Sequence, residues 1–257
     1  MRTTIYLLTI ALVAISCHQG KAQKTEPAKL EFQTYSDWEA KYDGSSLDEE
    51  CWELTIPDYF KENSAVTVQL RAYEEENDQP NSTIALIDKA GNYLVTLFEP
   101  TQFHQFALEY ATLSVGDVDG NGLKDIKIDF PYMGNGLMAC AIRTIYIFQA
   151  GAKTFNKVSF DSFVCRDHVA ETDVDGDGKW EIIVRTLEYI DENNHYWVDN
   201  IYKYTPEGLI CVSKENGYPK ALNVSERKPT DAEIVARHKG EWTVEQPKGY
   251  LFLKSSK

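Results

Sequence analysis

Two acidic segments, 56 residues apart, hold the residues of this chain that are best suited to chemistry. The first begins at Asp117 and reads DVDGNGLKDIKI, and the second begins at Asp173 and reads DVDGDGKWEIIV. In both, side-chain oxygens recur at every second position, and a glycine at the sixth position permits a tight turn. Carboxylates packed this closely repel one another unless a cation lies between them. The spacing therefore predicts a site for a hard divalent cation in each segment.

The candidate ligands occupy alternate positions of each segment, counted from the first aspartate. Positions 1, 3, 5 and 9 offer side-chain oxygens, and position 7 offers its backbone carbonyl. The soft ligands that zinc and copper prefer are absent, and magnesium favours fewer protein ligands, so calcium fits best. We therefore expect two calcium ions. The first set is Asp117, Asp119, Asn121, Leu123 and Asp125, and the second set is Asp173, Asp175, Asp177, Lys179 and Glu181.

Three other interpretations fit these segments less well. A turn rich in aspartate and glycine needs no metal. A catalytic acid cluster fits less well, because catalytic carboxylates need distinct environments in a cleft. An EF-hand is excluded, since position 12 holds Ile128 or Val184 instead of a bidentate glutamate. A β-rich run, not a helix, follows position 9 in both segments.

The acidic loop followed directly by a strand resembles the FG-GAP and VCBS repeats of calcium-binding β-propeller proteins. Their loops read D-x-D-x-D-G-x-x-D. The resemblance is carried by Asp117–Ile128 and Asp173–Val184, and it implies one calcium ion at each loop. Two residues depart from the pattern: Asn121 replaces an acid in the first loop, and Glu181 replaces the shorter aspartate in the second.

A second motif repeats with the same spacing. The chain reads IYIF from Ile145 and IYKY from Ile201, which is again an offset of 56 residues. Two motifs at one offset indicate duplication of a whole supersecondary unit of about four short strands. The clear units span about 110–165 and 166–220.

The rest of the chain also favours β-structure. A strand is predicted at Val66–Tyr73, and Thr83–Asp88 and Tyr93–Phe98 have the pattern of a hairpin. We expect residues 31–257 to form a single, mainly β domain, a β-propeller-like repeat of antiparallel sheets with calcium loops. A closed four-bladed propeller and an incomplete curved assembly fit the length equally well.

Short terminal helices are expected beside this β domain. The stretch Ser36–Glu39 matches a capping box, and Thr230–Glu233 matches a second one, with Gly240 as the stop of the helix that follows.

The N-terminal segment is typical of export. A short positive start and an apolar run from Ile5 to Ile15 predict a secretory signal peptide, and Cys17 lies where a bacterial lipobox carries its lipid. Plain cleavage without lipidation is the alternative. Residues 1–17 are thus assigned to the signal peptide and lipobox, and residues 18–30 to a flexible tether. The predicted location is the bacterial cell envelope, lipid-anchored at the outer membrane, on its periplasmic or surface face.

An oxidising compartment permits disulfides among the cysteines that remain after Cys17. The candidates are Cys140, Cys165, Cys51 and Cys211. The preferred pair is Cys140 with Cys165, because both lie in one repeat unit. Buried thiols are the alternative.

The net charge of −14 disfavours nucleic acid and favours a basic protein partner. Membrane contact is expected through the lipid anchor only. Large side chains lie in the inter-strand connections that follow the strand after each calcium loop. We predict that four of them are exposed on these connecting loops and bind the partner. Packing of these side chains on their own sheet is the alternative. The four are Tyr132, Met133, Tyr196 and Trp197.

No catalytic motif is found, and the five histidines are scattered without metal-ligand spacing. We therefore expect a non-enzymatic binding protein, an inhibitor or immunity-type protein that acts on a cell-wall hydrolase or toxin. A lipobox combined with such acidic loops resembles some periplasmic immunity lipoproteins. The alternatives are a polysaccharide-binding or polysaccharide-processing envelope protein, and a purely structural one.

Overall fold

The chain folds mainly as β-structure, which confirms the predicted fold class at that level. The computed structural model describes residues 30–41, 50–61, 64–73, 82–101, 103, 106, 108–165, 168–189, 195–224 and 251–252. The predicted signal peptide, Cys17 and the tether up to residue 29 lie outside the described residues. No helix within the described ranges has the length and apolar character needed to cross a bilayer.

The described residues contain sixteen strands and short 3-10 helices at Leu108–Tyr110, Gly136–Cys140 and Lys214–Asn216. In chain order the strands are β1 (Gln33–Tyr35), β2 (Glu39–Lys41), β3 (Glu50–Phe60), β4 (Ser64–Ala72), β5 (Ser82–Asp88), β6 (Tyr93–Glu99), β7 (Thr112–Gly116), β8 (Asp125–Pro131), β9 (Ala141–Gly151), β10 (Thr154–Phe163), β11 (Glu171–Thr172), β12 (Glu181–Tyr189), β13 (His195–Thr205), β14 (Gly208–Cys211), β15 (Lys220–Asn223) and β16 (Leu251–Phe252).

The strands form three sheets. The first sheet has the order β2-β3-β4-β5-β6, and the second has the order β1-β7-β8-β9-β10. The third has the order β11-β12-β13-β15-β16, with β14 also paired to β13. The paired strands are antiparallel apart from β15 and β16. One sheet curls into a half-barrel, and closure of the sheets into a propeller stays a prediction.

The second sheet packs against a neighbouring sheet on each face. Because side chains alternate along a strand, successive residues enter different cores. On β9, Ile145 and Ile147 join the core shared with the first sheet, whereas Tyr146 and Phe148 join the core shared with the third. Phe148 stacks on Tyr204 of β13 with ring centroids 3.5 Å apart. The IYIF motif, which lies within β9, therefore contributes side chains to both cores.

The duplicated unit is visible in the topology. Strands β7 to β10 of the second sheet pair as a meander, and β11 to β14 of the third sheet pair in the same order. The units differ at their last strand. In the first unit, β10 follows β9 over its whole length. In the second unit, β14 and β15 together cover β13, and a 3-10 helix at Lys214–Asn216 interrupts them.

Buried ion pairs join the sheets. Glu99 at the end of β6 is fully buried and pairs with Arg143 at 2.8 Å and Lys157 at 2.6 Å, both on the second sheet. Lys127 on β8 pairs at 2.7 Å with Glu171 on β11 of the third sheet. These two joints fix the second sheet between its neighbours.

The prediction of an N-terminal helix is wrong. Residues 36–38 are coil, and β2 starts at Glu39 and pairs with β3 at Glu53 and Cys51. The indole of Trp38 donates a hydrogen bond of 2.9 Å to the carbonyl of Ala111, so contacts distant in sequence override the local capping pattern. The helix predicted from Thr230 lies outside the described residues.

The preferred cysteine pair is joined in the structure. Cys140 and Cys165 form a disulfide with their Cα atoms 5.4 Å apart, linking the start of β9 to the end of β10. Among the other described cysteines, Cys51 is a buried thiol and Cys211 an exposed one, so they form no second bridge with each other.

Candidate metal centre

The two acidic loops occupy equivalent places in the fold. Residues 117–124 connect β7 to β8, and residues 173–180 connect β11 to β12. In each case the loop closes an antiparallel pair, and the residue at position 9 begins the second strand. The strand that follows is apolar because it enters the core, with Ile126 and Ile182 fully buried. The loops are therefore anchored at both ends by the sheets.

Four hydrogen bonds recur at matching positions of the two loops. Backbone N–H groups at positions 6, 5, 7 and 2 donate to the side chains at positions 1, 3, 5 and 9. In the first loop these bonds run from Gly122 to Asp117 at 2.9 Å, Asn121 to Asp119 at 3.1 Å, Leu123 to Asn121 at 2.7 Å and Val118 to Asp125 at 2.8 Å. In the second they run from Gly178 to Asp173 at 3.1 Å, Asp177 to Asp175 at 3.1 Å, Lys179 to Asp177 at 2.8 Å and Val174 to Glu181 at 3.0 Å.

Glycines make this shared path possible. Gly120 and Gly122 have φ values of +70° and +77°, and Gly176 and Gly178 have values of +76° and +79°. Residues with a Cβ rarely adopt this left-handed region, so the glycines at positions 4 and 6 allow the chain to turn twice within each loop.

In the first loop, two half-buried carboxylates and one buried carboxylate converge. Asp117, Asp119 and Asp125 each place one oxygen so that the three atoms lie within 4.8 Å of one another. The Oδ1 atom of Asp117 is buried and accepts no hydrogen bond from the described residues. Burial raises the pKa of Asp125 to about 7, although the backbone N–H groups of Gln149 and Val118 act in the opposite direction. A cation at this point would compensate the crowded charge.

In the second loop, Asp173, Asp175 and Asp177 converge within the same 4.8 Å, but Asp175 and Asp177 are exposed. Lys203 on β13 lies beside them. Its Nζ is 3.0 Å from Asp177 Oδ2 and 3.5 Å from Asp175 Oδ2. The hydrogen bond from this ammonium is the first cause of the lowered pKa of Asp177. This loop already has a positive charge against its acids.

The position-9 residues also differ. Asp125 belongs to the first carboxylate cluster and accepts a further bond of 2.9 Å from the N–H of Gln149. Glu181 is not part of the second cluster. Its Oε2 accepts from Val174, and its Oε1 lies 3.7 Å from Lys203 Nζ. The longer side chain is thus held at the base of the loop instead of among the three aspartates.

The two loops touch each other. The N–H of Trp180 donates a hydrogen bond of 2.9 Å to the carbonyl of Val118. A Cβ atom at Gly120 would lie 2.8 Å from the carbonyl oxygen of Gly178, which is closer than real contacts allow. Gly120 therefore serves both the left-handed turn and the close approach of the loops.

The first loop is also fastened to the first sheet. The hydroxyl of Tyr59, a buried residue of β3, donates a 2.5 Å hydrogen bond to the carbonyl of Lys124. The ammonium of Lys124 donates a 2.6 Å bond to the carbonyl of Asp58. All three sheets consequently meet at the first loop.

The four residues predicted to bind a partner differ in exposure. Met133 is 62% exposed, and Tyr132 is half-buried, with its ring packed edge-on against Phe106. Tyr196 and Trp197 are 3% and 2% exposed. The expectation that these two present an accessible surface is wrong, because they lie within β13 and not in a loop.

Lys203 was not among the predicted site residues, although the sequence carries a signal for it. When the motifs IYIF and IYKY are aligned, Lys203 stands where the first unit has Ile147. A lysine in place of a core isoleucine, in a strand that pairs with Glu181's strand, indicates a specific partner. The contact between the loops has no comparable local signal, since it depends on how the sheets pack.

Comparison with protein-family models, with curated proteins and with solved structures gives no match to this chain.

Proposed function

We propose that this chain is a calcium-stabilised β-repeat protein of the bacterial cell envelope that acts by binding another protein. The observation that carries the calcium proposal is the pair of loops with one oxygen spacing and one hydrogen-bond pattern. The convergence of three carboxylates in each loop supports it. The donor set consists of oxygens, as calcium prefers.

The calcium ligands proposed for the first loop are the side chains of Asp117, Asp119, Asn121 and Asp125. The donor set fits calcium there, because Asp117 Oδ1 is a buried oxygen without a hydrogen bond from the described residues. Asp173, Asp175, Asp177 and Glu181 are the corresponding residues of the second loop, and Leu123 and Lys179 supply backbone carbonyls. Bound calcium supplies positive charge that holds these strand ends together, and no catalytic step is assigned to it.

The calcium proposal is tested by thermal unfolding of the purified protein with EDTA, calcium or magnesium. Calcium that binds only the folded state stabilises it by about 2.7 kcal/mol when its concentration is a hundred times Kd. We therefore expect a higher Tm in calcium and a lower Tm in EDTA, with a smaller effect of magnesium. Equal Tm values in calcium and EDTA would overturn the proposal.

The proposed partner surface is the segment between β8 and β9. Three apolar side chains are exposed there, namely Met133, Leu137 and Met138. The disulfide of Cys140 fixes the end of this segment, so a partner would meet a surface that is already held in place. Methionine adapts its shape readily and is common at protein-binding surfaces. With a chain net charge of −14, a basic partner is favoured.

The partner proposal is tested by affinity capture from envelope and secreted fractions. A variant with Met133, Leu137 and Met138 all replaced by serine should lose a protein that the native chain retains. The matched control replaces Tyr93 and Phe98, which are exposed on the first sheet, by serine. This control variant should still retain the captured protein. Identical capture by both variants would remove this segment from the proposal.

The envelope location rests on residues 1–17, and the β-propeller-like arrangement rests on the duplicated unit and the successive sheets. Incorporation of a labelled fatty acid at Cys17 tests the lipid anchor. A Cys17→Ser variant that labels as strongly as the native protein would contradict it.

A further inference from the structure

Lys203 contacts most of the acidic side chains that we assign to the second calcium loop. Its ammonium lies 3.0 Å from Asp177, 3.5 Å from Asp175 and 3.7 Å from Glu181. Its side chain is one-third exposed, so the pairs are partly screened from solvent. The arrangement places a single positive charge beside the oxygens that would coordinate a divalent ion.

Among the described residues no ammonium forms an ion pair with an acid of the first loop, although the charge of Lys179 acts on Asp119. The fold explains why the position equivalent to Lys203 is apolar. Ile147 occupies the position of Lys203 in the first unit and is fully buried against the first sheet. The alternation of side chains puts Lys203 on the face of β13 opposite Tyr202 and Tyr204, which pack towards the second sheet. A lysine is therefore tolerated in the third sheet at a position where the second sheet requires an apolar residue.

The carboxylates of the two loops consequently differ in their hydrogen-bond and ion-pair partners. In the first loop, Asp117 keeps a buried oxygen that accepts no hydrogen bond within the described part of the chain. In the second loop, the equivalent Asp173 Oδ1 accepts a 2.7 Å bond from the N–H of Gly176. The ion pairs of Lys203 occupy Asp175 and Asp177 in addition. Lys203 thus offsets one of the four negative charges of the second loop, whereas no acid of the first loop forms an ion pair within the described residues.

Building on the calcium function proposed above, we infer that Lys203 is a built-in counter-cation that competes with calcium at the second loop. Calcium must displace the ammonium before it gains Asp175 and Asp177. The first loop therefore binds calcium more tightly, and the second loop keeps its shape at calcium concentrations that fill only the first. Lys203 is a residue that sets affinity, and it is not a metal ligand.

The test is calorimetric titration of calcium into the native full chain, Lys203→Met and Lys220→Met. Lys220 is a matched control, since it also carries one charge but places its ammonium over the ring of Tyr218. We expect a tight and a weak site in the native protein. Lys203→Met should tighten the weak site at least about tenfold, because a unit charge about 4 Å from the ligands is removed. The tight site and the Lys220→Met profile should stay as in the native protein.

A second pair of variants assigns the sites. Asp125→Asn should weaken the tight site, and Asp173→Asn should weaken the weak site. If the native protein binds calcium but Lys203→Met leaves both affinities unchanged, or if Lys220→Met has the same effect, the role of Lys203 is overturned and the calcium proposal stands. If the native protein binds no calcium at all, the calcium proposal itself fails.

Discussion

The first and second acidic loops have the same backbone path but different surroundings. Both have left-handed glycines at positions 4 and 6 and the same four hydrogen bonds. The first loop is held by Tyr59 from one side and by Trp180 from the other. The second loop has exposed acids at positions 3 and 5 and a lysine beside them.

This difference shows that the sequence pattern of a loop determines its backbone geometry. The neighbouring sheets determine how far its acidic side chains are buried and whether a basic side chain lies beside them. Burial of the first loop raises the pKa values of Asp119 and Asp125 and leaves the demand for a cation unmet. In the second loop, exposure to water and Lys203 meet the same demand. Duplicated units thus diverge in electrostatics while they keep their fold.

The largest expected effect separates the loops at position 4. Gly120→Ala adds a Cβ in a left-handed conformation and also places it 2.8 Å from the Gly178 carbonyl. Gly176→Ala adds the same strain, but no atom lies within 4 Å of its new Cβ. We expect a loss of about 3 kcal/mol or more for Gly120→Ala and about 1–2 kcal/mol for Gly176→Ala. Urea unfolding measures the free energy of unfolding of both variants. Equal losses would show that the close approach of Gly120 to the Gly178 carbonyl does not limit the size of residue 120.

The contrast extends below the loops to the two joints of the second sheet. In the joint with the first sheet, burial acts to raise the pKa of Glu99, but Lys157 and Arg143 outweigh it and the pKa is lowered. In the joint with the third sheet, burial first, and then the charge of Arg185, lowers the pKa of His168 to about 4. Lys127 acts in the same direction, whereas Asp199 and Glu171 oppose it. A carboxylate with a lowered pKa keeps its charge in mild acid, whereas the half-buried, neutral His168 resists protonation.

The second prediction is a dependence of stability on pH that arises at His168. Its folded pKa of about 4 lies below the ordinary value of 6.5, so the unfolded chain takes up the proton first as the pH falls. The contribution of His168 is complete above pH 6.5, declines between 6.5 and 4, and then stays constant. We expect the full contribution to amount to about 3 kcal/mol.

Comparison of the native protein with His168→Gln isolates this contribution, because the carboxylates titrate in both. Urea unfolding at pH 7 and pH 4.5 should show a smaller loss of stability for the variant. Parallel losses would mean that His168 is protonated in the folded protein.

The smallest expected effect comes from exchanging the position-5 residues of the loops. The amide of Asn121 donates to Asp119 at 3.0 Å and to the carbonyl of Gln149 at 2.9 Å. Asn121→Asp removes these donors and adds a charge, so we expect a loss of about 1–2 kcal/mol in EDTA that calcium restores. Asp177→Asn, at an exposed position beside Lys203, should change stability in EDTA only slightly. Chemical unfolding with and without calcium checks both, and a similar EDTA response of the two variants would remove the electrostatic distinction between the loops.

The parts of the structure that were predicted are those governed by local sequence. The hairpin of β5 and β6 follows from alternating apolar residues around a turn, in which Asp88 accepts the N–H groups of Ala90 and Asn92. The convergence of acids in each loop follows equally from spacing and glycine positions. These features lie within segments short enough for the chain to specify them alone.

The features that escaped prediction depend on partners far along the chain. A capping pattern at Ser36 gave way because Glu39–Lys41 pairs with β3. Tyr196 and Trp197 looked like loop residues, but Val198 and Ala221 lie in the same small core as Tyr196, and Trp197 packs on Phe163. The interruption between β14 and β15 has no counterpart in the first unit. Alignment of the two units would have shown Lys203, since only a residue-by-residue comparison reveals that it replaces an isoleucine.

The place of β1 in the second sheet has a consequence for the order in which the protein assembles. Gln33 and Tyr35 pair with Val115 and Leu113 on β7, and a Cβ at Gly116 would collide with Phe32. During synthesis, β1 leaves the ribosome about eighty residues before this partner exists, and the whole first sheet is made in between. The edge of the second sheet is thus completed by the earliest described strand. Pairing of β1 with β7 therefore requires that all five strands of the first sheet have already been synthesised, whereas β8, β9 and β10 are still to follow.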